Sequence, residues 1–171
     1  MREVVIVAGA RTPFGRGVKG VFKDVRPESL GALAVKGALA KVPSVKAADI
    51  DDVVIGCAMP EAEQGLNIAR QVAVLAGLPI EVPAMTVNRF CSSGLQTIVD
   101  AANRIAVGQI DCAIAGGVES MSAVPMGGNK ISLHPELAET FPEIYAPMGL
   151  TAENVARQFD VSRAAQDEFA V

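Results

Sequence analysis

The sequence predicts a layered α/β fold with a mixed, mostly parallel sheet. Continuous β-branched runs, such as Val4–Ala8 and Val53–Cys57, are typical of strands buried on both faces. Segments with helical spacing of apolar residues separate these runs, and strand–helix–strand units favour parallel strands joined by right-handed crossovers. The chain has 171 residues, of which 50% are hydrophobic and 20% charged, so it can bury a sizeable core.

The elements are predicted in chain order from these apolar runs and from helix caps and stops. Ser29 is a suitable helix cap, and Gly77 and Gly108 are suitable helix terminators. The predicted elements are a strand over 4–8, a helix from Ser29 to about Ala40, a strand over 53–57, a helix over 67–76, a strand over 84–87, a helix from Cys91 to about Val107, and a strand over 112–116.

The helix that follows Cys91 is predicted to be buried. Its apolar residues point to several sides rather than to one stripe, which is typical of a helix inside a protein. They are Leu95, Ile98, Val99, Ala102, Ile105 and Ala106.

The sequence changes character after Gly117. Met, Pro, Gly and Ser dominate residues 120–128, which predicts irregular structure or a small lid rather than more sheet. Residues 1–119 are therefore interpreted as one α/β domain and 120–171 as the start of a loop or lid region. Thr151 and Ser162 are predicted to cap two short helices. The second of them reaches Val171 without a terminator, so the end is interpreted as a truncation.

Composition excludes several functions. The net charge is −4, with no basic stripe, so nucleic acid is not an expected partner. No apolar stretch is long enough to cross a bilayer. The three cysteines have no metal-ligand spacing, which predicts no metal site. They also form no even disulfide set, which predicts a reducing compartment, namely the cytoplasm. Cys57 and Cys112 lie in apolar runs and are interpreted as structural thiols.

Cys91 is the candidate nucleophile because it lies where an apolar strand stops and a helix begins. Free N–H groups and the helix dipole at such a junction favour thiolate over thiol. Ser92, Ser93 and Gly94 are small and leave room for a tight turn and for a substrate. The helix-start N–H groups could also stabilise a developing oxyanion. On position alone, a structural thiol is an equally good interpretation.

Four sequence blocks together resemble the thiolase family. The run Val87–Gln96, which reads VNRFCSSGLQ, resembles the acyl-enzyme cysteine signature of that family. Similar blocks occur at Val5–Gly15, Gly116–Ser122 and Met148–Asn154, in the family's order and over nearly the whole chain. The residues around Cys91 resemble degradative 3-ketoacyl-CoA thiolases more than biosynthetic acetoacetyl-CoA thiolases.

This resemblance implies acyl transfer to coenzyme A, which would be a co-substrate rather than a permanently bound cofactor. Cys91 would attack a 3-ketoacyl-CoA, release acetyl-CoA and hold the acyl group as a thioester, as in fatty-acid beta-oxidation. It also implies acyl-CoA substrates, a C-terminal thiolase half as partner, and a homodimer or homotetramer. The resemblance further places Met121 and Met148 in a substrate pocket, for which plain packing is the alternative.

Three groups of the family's catalytic set have no counterpart in these 171 residues. They are the histidine of a Gly-His-Pro block, the cysteine of a Cys-x-Gly block and the asparagine of an Asn-Glu block. The only histidine, His134, follows Leu133 and is interpreted as a surface or loop residue. The chain alone is therefore expected to lack thiolytic turnover.

Other interpretations stay open at this point. Glu119, Ser120 and Met121 follow the last predicted strand and belong either near the active site or to a turn. The domain could instead be a non-catalytic acyl or lipid carrier, or a redox-sensing thiol protein. A ketoacyl synthase is a rival of the same class, which the NRFCSSGLQ run disfavours.

Overall fold

A parallel three-stranded sheet organises the first part of the chain in the computed structural model, which describes all residues from Met1 to Val171. The strands are β1 (Asp52–Gly56), β2 (Ala84–Val87) and β3 (Ala113–Gly117). Their order is β2-β1-β3, with Val53 opposite Ala84 on one side and Ile114 on the other. β1 is buried at all five positions, as its continuous β-branched run predicts. The α/β prediction is confirmed, and all strands that form are parallel.

Two of the first three helices cover the two faces of this sheet, and the third packs against one of those two. The three helices are α1 (Pro27–Ala40), which packs against α2, and α2 (Ile68–Ala76) and α3 (Ser93–Ala106), which cover the sheet. The main core cluster joins Val35 of α1, Val53 and Ile55 of β1, and Val72 of α2. Because side chains alternate along a strand, Gly56 points to the opposite face, where α3 lies against it. α2 ends at Gly77, whose φ of 88° is the left-handed helix stop that the sequence predicts.

The prediction that α3 is buried on all sides is wrong for this chain. Its buried residues are Ser93, Thr97 and Ala101, which are four residues apart and form one face. Leu95 is 63% exposed, and Ile98 and Val99 on other sides are exposed as well. Only the side of α3 that faces the sheet packs against another element of this chain.

Two further predictions fail near the start of the chain. Residues 4–8 form no strand, because neither edge of the sheet pairs with them, and Val5, Ile6 and Val7 are exposed. β-branched residues favour extended backbone, but a strand also requires a hydrogen-bonded neighbour. α1 begins at Pro27 rather than after Ser29, since proline is well suited to the first position of a helix.

The chain divides into two units, Met1–Lys130 and Ile131–Val171. The second unit contains α4 (Pro135–Thr140), a 3₁₀ turn (Pro142–Tyr145), α5 (Met148–Gln158) and α6 (Arg163–Ala170), and no strand. Ser162 caps α6 as predicted, with its hydroxyl accepting from the Ala165 N–H at 3.2 Å. Thr151 lies inside α5 instead of capping it. No helix of the chain has the length and apolar character needed to cross a membrane.

Candidate active site

Cys91 is exposed at the edge of the sheet where the three parallel strands end. β1, β2 and β3 end at Gly56, Val87 and Gly117, and Cys91 lies between the end of β2 and the start of α3. In open α/β sheets, ligands bind outside the carboxyl ends of the strands. The predicted strand–turn–helix setting of Cys91 is confirmed.

The turn before Cys91 is held in an unusual backbone conformation. Phe90 has a φ of 44°, in the left-handed region that side chains other than glycine rarely adopt. The Phe90 N–H donates to Asn88 Oδ1 at 2.8 Å, and the Phe90 carbonyl accepts from the Ser93 hydroxyl at 2.6 Å. Ser93 Oγ also accepts from the Arg89 N–H at 2.9 Å. Two polar side chains thus fix the backbone that presents Cys91.

Small residues bring the start of α3 against the sheet. A Cβ atom at Gly56 would lie 2.5 Å from the Ser93 carbonyl carbon and 2.7 Å from the Gly94 nitrogen. A Cβ atom at Gly117 would lie 3.3 Å from the Gly94 Cα atom. Glycine is therefore required at Gly56 if α3 is to begin where it does.

Two of the backbone donors at the start of α3 are already used within the turn. The Ser92 N–H donates to the Arg89 carbonyl and the Ser93 N–H to the Phe90 carbonyl, both at 3.0 Å. An oxyanion would have to be bound by other N–H groups of this turn. The predicted oxyanion role of the helix start stays a prediction.

The other two cysteines differ from Cys91 in their surroundings. Cys57 is 1% exposed, and burial together with the nearby Glu119 carboxylate raises the pKa of its thiol to about 12. Cys112 is half-buried against the core, and burial raises its pKa, with Asp51 and Asp49 adding to the effect. Both shifts oppose thiolate formation, which suits the structural role predicted for these residues.

Glu119 lies just beyond β3 and binds the loop that follows β1. Its carboxylate accepts from the Ala58 N–H at 2.6 Å, the Met59 N–H at 3.3 Å and Gln64 Nε2 at 2.6 Å. Gln64 is fully buried, and its side-chain oxygen accepts from the Ser120 N–H at 2.5 Å. From the sequence, Glu119 belonged either to the site or to a turn, and neither Gln64 nor Asn88 was assigned a role. The bonds from Gln64 to Glu119 and from Asn88 to Ala58 join segments far apart in the chain, and no local pattern marks them.

The remaining candidate residues are distributed over both units. Met121 lies in the first unit, in the turn after β3, and is 46% exposed. Met148 begins α5 in the second unit and lines a shallow groove of about 450 Å³ with Thr151 and Val155. His134 immediately precedes α4 in the second unit and is exposed, as expected for a surface or loop histidine.

These features define an α/β protein whose one exposed cysteine lies at the carboxyl edge of a parallel sheet. Residues 4–171 match the family model described as the thiolase N-terminal domain. The chain belongs to the thiolase family.

The most informative relatives are bacterial proteins named 3-ketoacyl-CoA thiolase. The protein from Bacillus subtilis (strain 168) is 57% identical over 171 residues, which is 100% of this chain and 44% of the relative. The protein from Serratia proteamaculans (strain 568) is 46% identical over 170 residues, covering 99% of this chain and 44% of the relative. The chain therefore spans less than half the length of these relatives and corresponds to their N-terminal half.

Proposed function

We propose that the protein carrying this chain is a 3-ketoacyl-CoA thiolase in which Cys91 is the acyl-accepting nucleophile. The observation that carries this proposal is the exposed Cys91 at the carboxyl edge of the sheet, within a chain that belongs to the thiolase family. The names of its relatives support the substrate class.

The proposed reaction has two acyl-transfer steps. The Cys91 thiolate forms a bond to the keto carbon of a 3-ketoacyl-CoA, and the bond between the alpha and beta carbons breaks. The electron pair of that bond stays on the alpha carbon, which takes up a proton and leaves as acetyl-CoA. The thiol of a second coenzyme A then attacks the Cys91 thioester, gives up its proton and leaves with the shortened acyl group, which regenerates the Cys91 thiolate.

The geometry around Cys91 suits both steps. The thiol is exposed and precedes two serines and a glycine, so that an acyl thioester has access. The hydrogen bonds of Asn88 and Ser93 hold the Phe90 turn, and a nucleophile in a fixed position loses little entropy on reaching the substrate.

We further propose that the enzyme works in the degradative direction, as in beta-oxidation, and that Met121 and Met148 contact the acyl chain. A C-terminal thiolase half supplies the proton-transfer groups. Assembly into a homodimer or homotetramer and a location in the cytoplasm complete the proposal. The exposed apolar groove beside Met148 in the second unit supports an acyl contact there.

The test uses the full-length gene product, meaning the polypeptide as its own gene encodes it, mixed with acetoacetyl-CoA in the absence of free coenzyme A. We expect an acetyl adduct on the peptide containing Cys91, detected by mass spectrometry and lost on addition of coenzyme A. The variant Cys91→Ser should form no thioester adduct, whereas the matched variant Cys112→Ser should form it normally. An adduct elsewhere, or none at all, would contradict the proposal.

A second measurement tests whether the Cys91 thiol is accessible and reactive, as the proposed role requires. Iodoacetamide at neutral pH should modify Cys91 well before Cys57, whose thiol is buried and has a raised pKa. Equal labelling rates for the two residues would favour the non-catalytic interpretation.

A further inference from the structure

The Glu119 carboxylate connects the ends of two strands. It follows β3, and it accepts the Ala58 and Met59 N–H groups of the loop after β1. Hydrogen bonds to an ionised carboxylate are stronger than those between neutral groups. The buried Gln64 side chain donates to the same carboxylate and to the Met59 carbonyl, at 2.6 and 2.8 Å, which orients both partners. This loop therefore has one preferred position relative to β3.

The same loop connects to the turn that carries Cys91. The Ala58 carbonyl accepts from Asn88 Nδ2 at 3.0 Å, and Asn88 Oδ1 accepts from the Phe90 N–H at 2.8 Å. Ala58 thus donates its N–H to Glu119, and its carbonyl accepts from Asn88. The connection runs from Glu119 through Ala58 and Asn88 to the residue before the nucleophile.

The turn requires such support because its backbone is strained. A residue such as Phe90 with positive φ is strained, and such a conformation persists only when its surroundings hold it. Asn88 is exposed, so packing does not orient its side chain. The Ala58 carbonyl is the partner that orients the Asn88 amide so that its oxygen faces Phe90.

We propose that Glu119 is a positioning residue for Cys91, acting through Ala58 and Asn88 on the Phe90 turn. This inference rests on the proposed thiolase function. Glu119 forms its bonds with the loop and with Gln64 and has no bond to Cys91, so its effect is on the orientation of the thiol. It should therefore influence the acylation rate and leave the affinity for the acyl-CoA unchanged.

The first variant is Glu119→Gln in the full-length gene product. The amide has the same shape, but one of its two ends is an NH₂ donor, which must face either the Ala58 N–H or the Gln64 amide donor. We expect kcat to fall by about ten- to a hundredfold, since small misplacements of reacting groups cost up to about 10²-fold, while KM is unchanged. Glu61→Gln is the matched control, because Glu61 lies in the same loop and its carboxylate accepts from the Asn129 N–H instead.

The second variant, Asn88→Ala, tests the route. It removes the link between Ala58 and Phe90 without leaving a buried polar group unpaired, because both hydrogen bonds of Asn88 are exposed. We expect a loss of kcat at least as large as that of Glu119→Gln, and no further loss when the two are combined. Independent, multiplying losses would overturn the route, and a wild-type kcat in either single variant would overturn the proposal.

The outcomes separate this inference from the function on which it rests. If the wild-type protein forms no Cys91 adduct with acetoacetyl-CoA, the proposed function fails. If the wild-type protein forms the adduct and Glu119→Gln forms it equally fast, only the positioning role fails. If Glu119→Gln does not fold, Asn88→Ala alone decides, because a normal acylation rate in that variant would refute the connection.

Discussion

Replacing Gly56 with alanine tests how closely α3 must approach the sheet. The new Cβ atom would lie 2.5 Å from the Ser93 carbonyl carbon and 2.7 Å from the Gly94 nitrogen, and both are backbone atoms that cannot rotate away. To restore an ordinary contact of ~3.5 Å, the start of α3 must move by about 1 Å. Overpacking of this kind costs about 1–3 kcal/mol of stability.

The same shift displaces the Cys91 turn, because the Ser93 hydroxyl binds both Arg89 and Phe90. A displacement of about 1 Å can lower the rate on the order of 10²-fold, so acylation of Cys91 should slow to that extent even in the folded fraction.

The assay compares Gly56→Ala with Gly116→Ala. Gly116 lies in the neighbouring strand β3, and a Cβ atom there meets nothing within 4 Å. Urea unfolding followed by circular dichroism measures the stability of each variant, and adduct formation with acetoacetyl-CoA measures the acylation rate. If Gly56→Ala matches Gly116→Ala in both measurements, the close approach of α3 does not determine the position of Cys91.

Three further predictions concern stability and turnover. Arg104→Met leaves the buried Asp52 carboxylate without its ion-pair partner and should lower the free energy of unfolding in urea by about 3 kcal/mol. Arg163→Met, in an exposed pair, should lower it by less than ~1 kcal/mol, and equal losses in the two variants would contradict this prediction. Burial raises the pKa of Cys57 to about 12, so the folded protein keeps a proton that the unfolded chain loses above about pH 8.5. Stability should therefore fall as the pH rises from there toward 12, by up to about 1.4 kcal/mol per pH unit, and Cys57→Ala should show a correspondingly smaller slope in urea midpoints. The 171-residue polypeptide alone should not cleave acetoacetyl-CoA in the presence of coenzyme A, and measurable cleavage would show that it contains a complete set of catalytic groups.

The local elements were predictable where a segment's own residues decide its conformation. The run from Asp52 to Gly56 is buried on both faces, and its β-branched residues indicate this directly. Gly77 ends α2 in the left-handed conformation that glycine accepts without strain. The strand–turn–helix setting of Cys91 was predictable for the same reason, since small residues and a change of periodicity mark it.

Predictions that depend on a distant partner were less successful. Residues 4–8 have the composition of a strand but no pairing neighbour, and α3 has apolar residues on sides that no element of this chain covers. Composition indicates that a residue can be buried, whereas burial itself depends on what packs against it.

The sequence by itself determined the alternation of strands and helices from α1 to β3, the position of Cys91 as candidate nucleophile and the family resemblance that the match over residues 4–171 confirms. Those features are encoded within short windows, where backbone preference and side-chain size act directly. Only the tertiary structure decided how Cys91 is held. Glu119, Gln64, Ala58 and Asn88 come from separate parts of the chain, and they meet because parallel strands bring their carboxyl ends to one edge of the sheet.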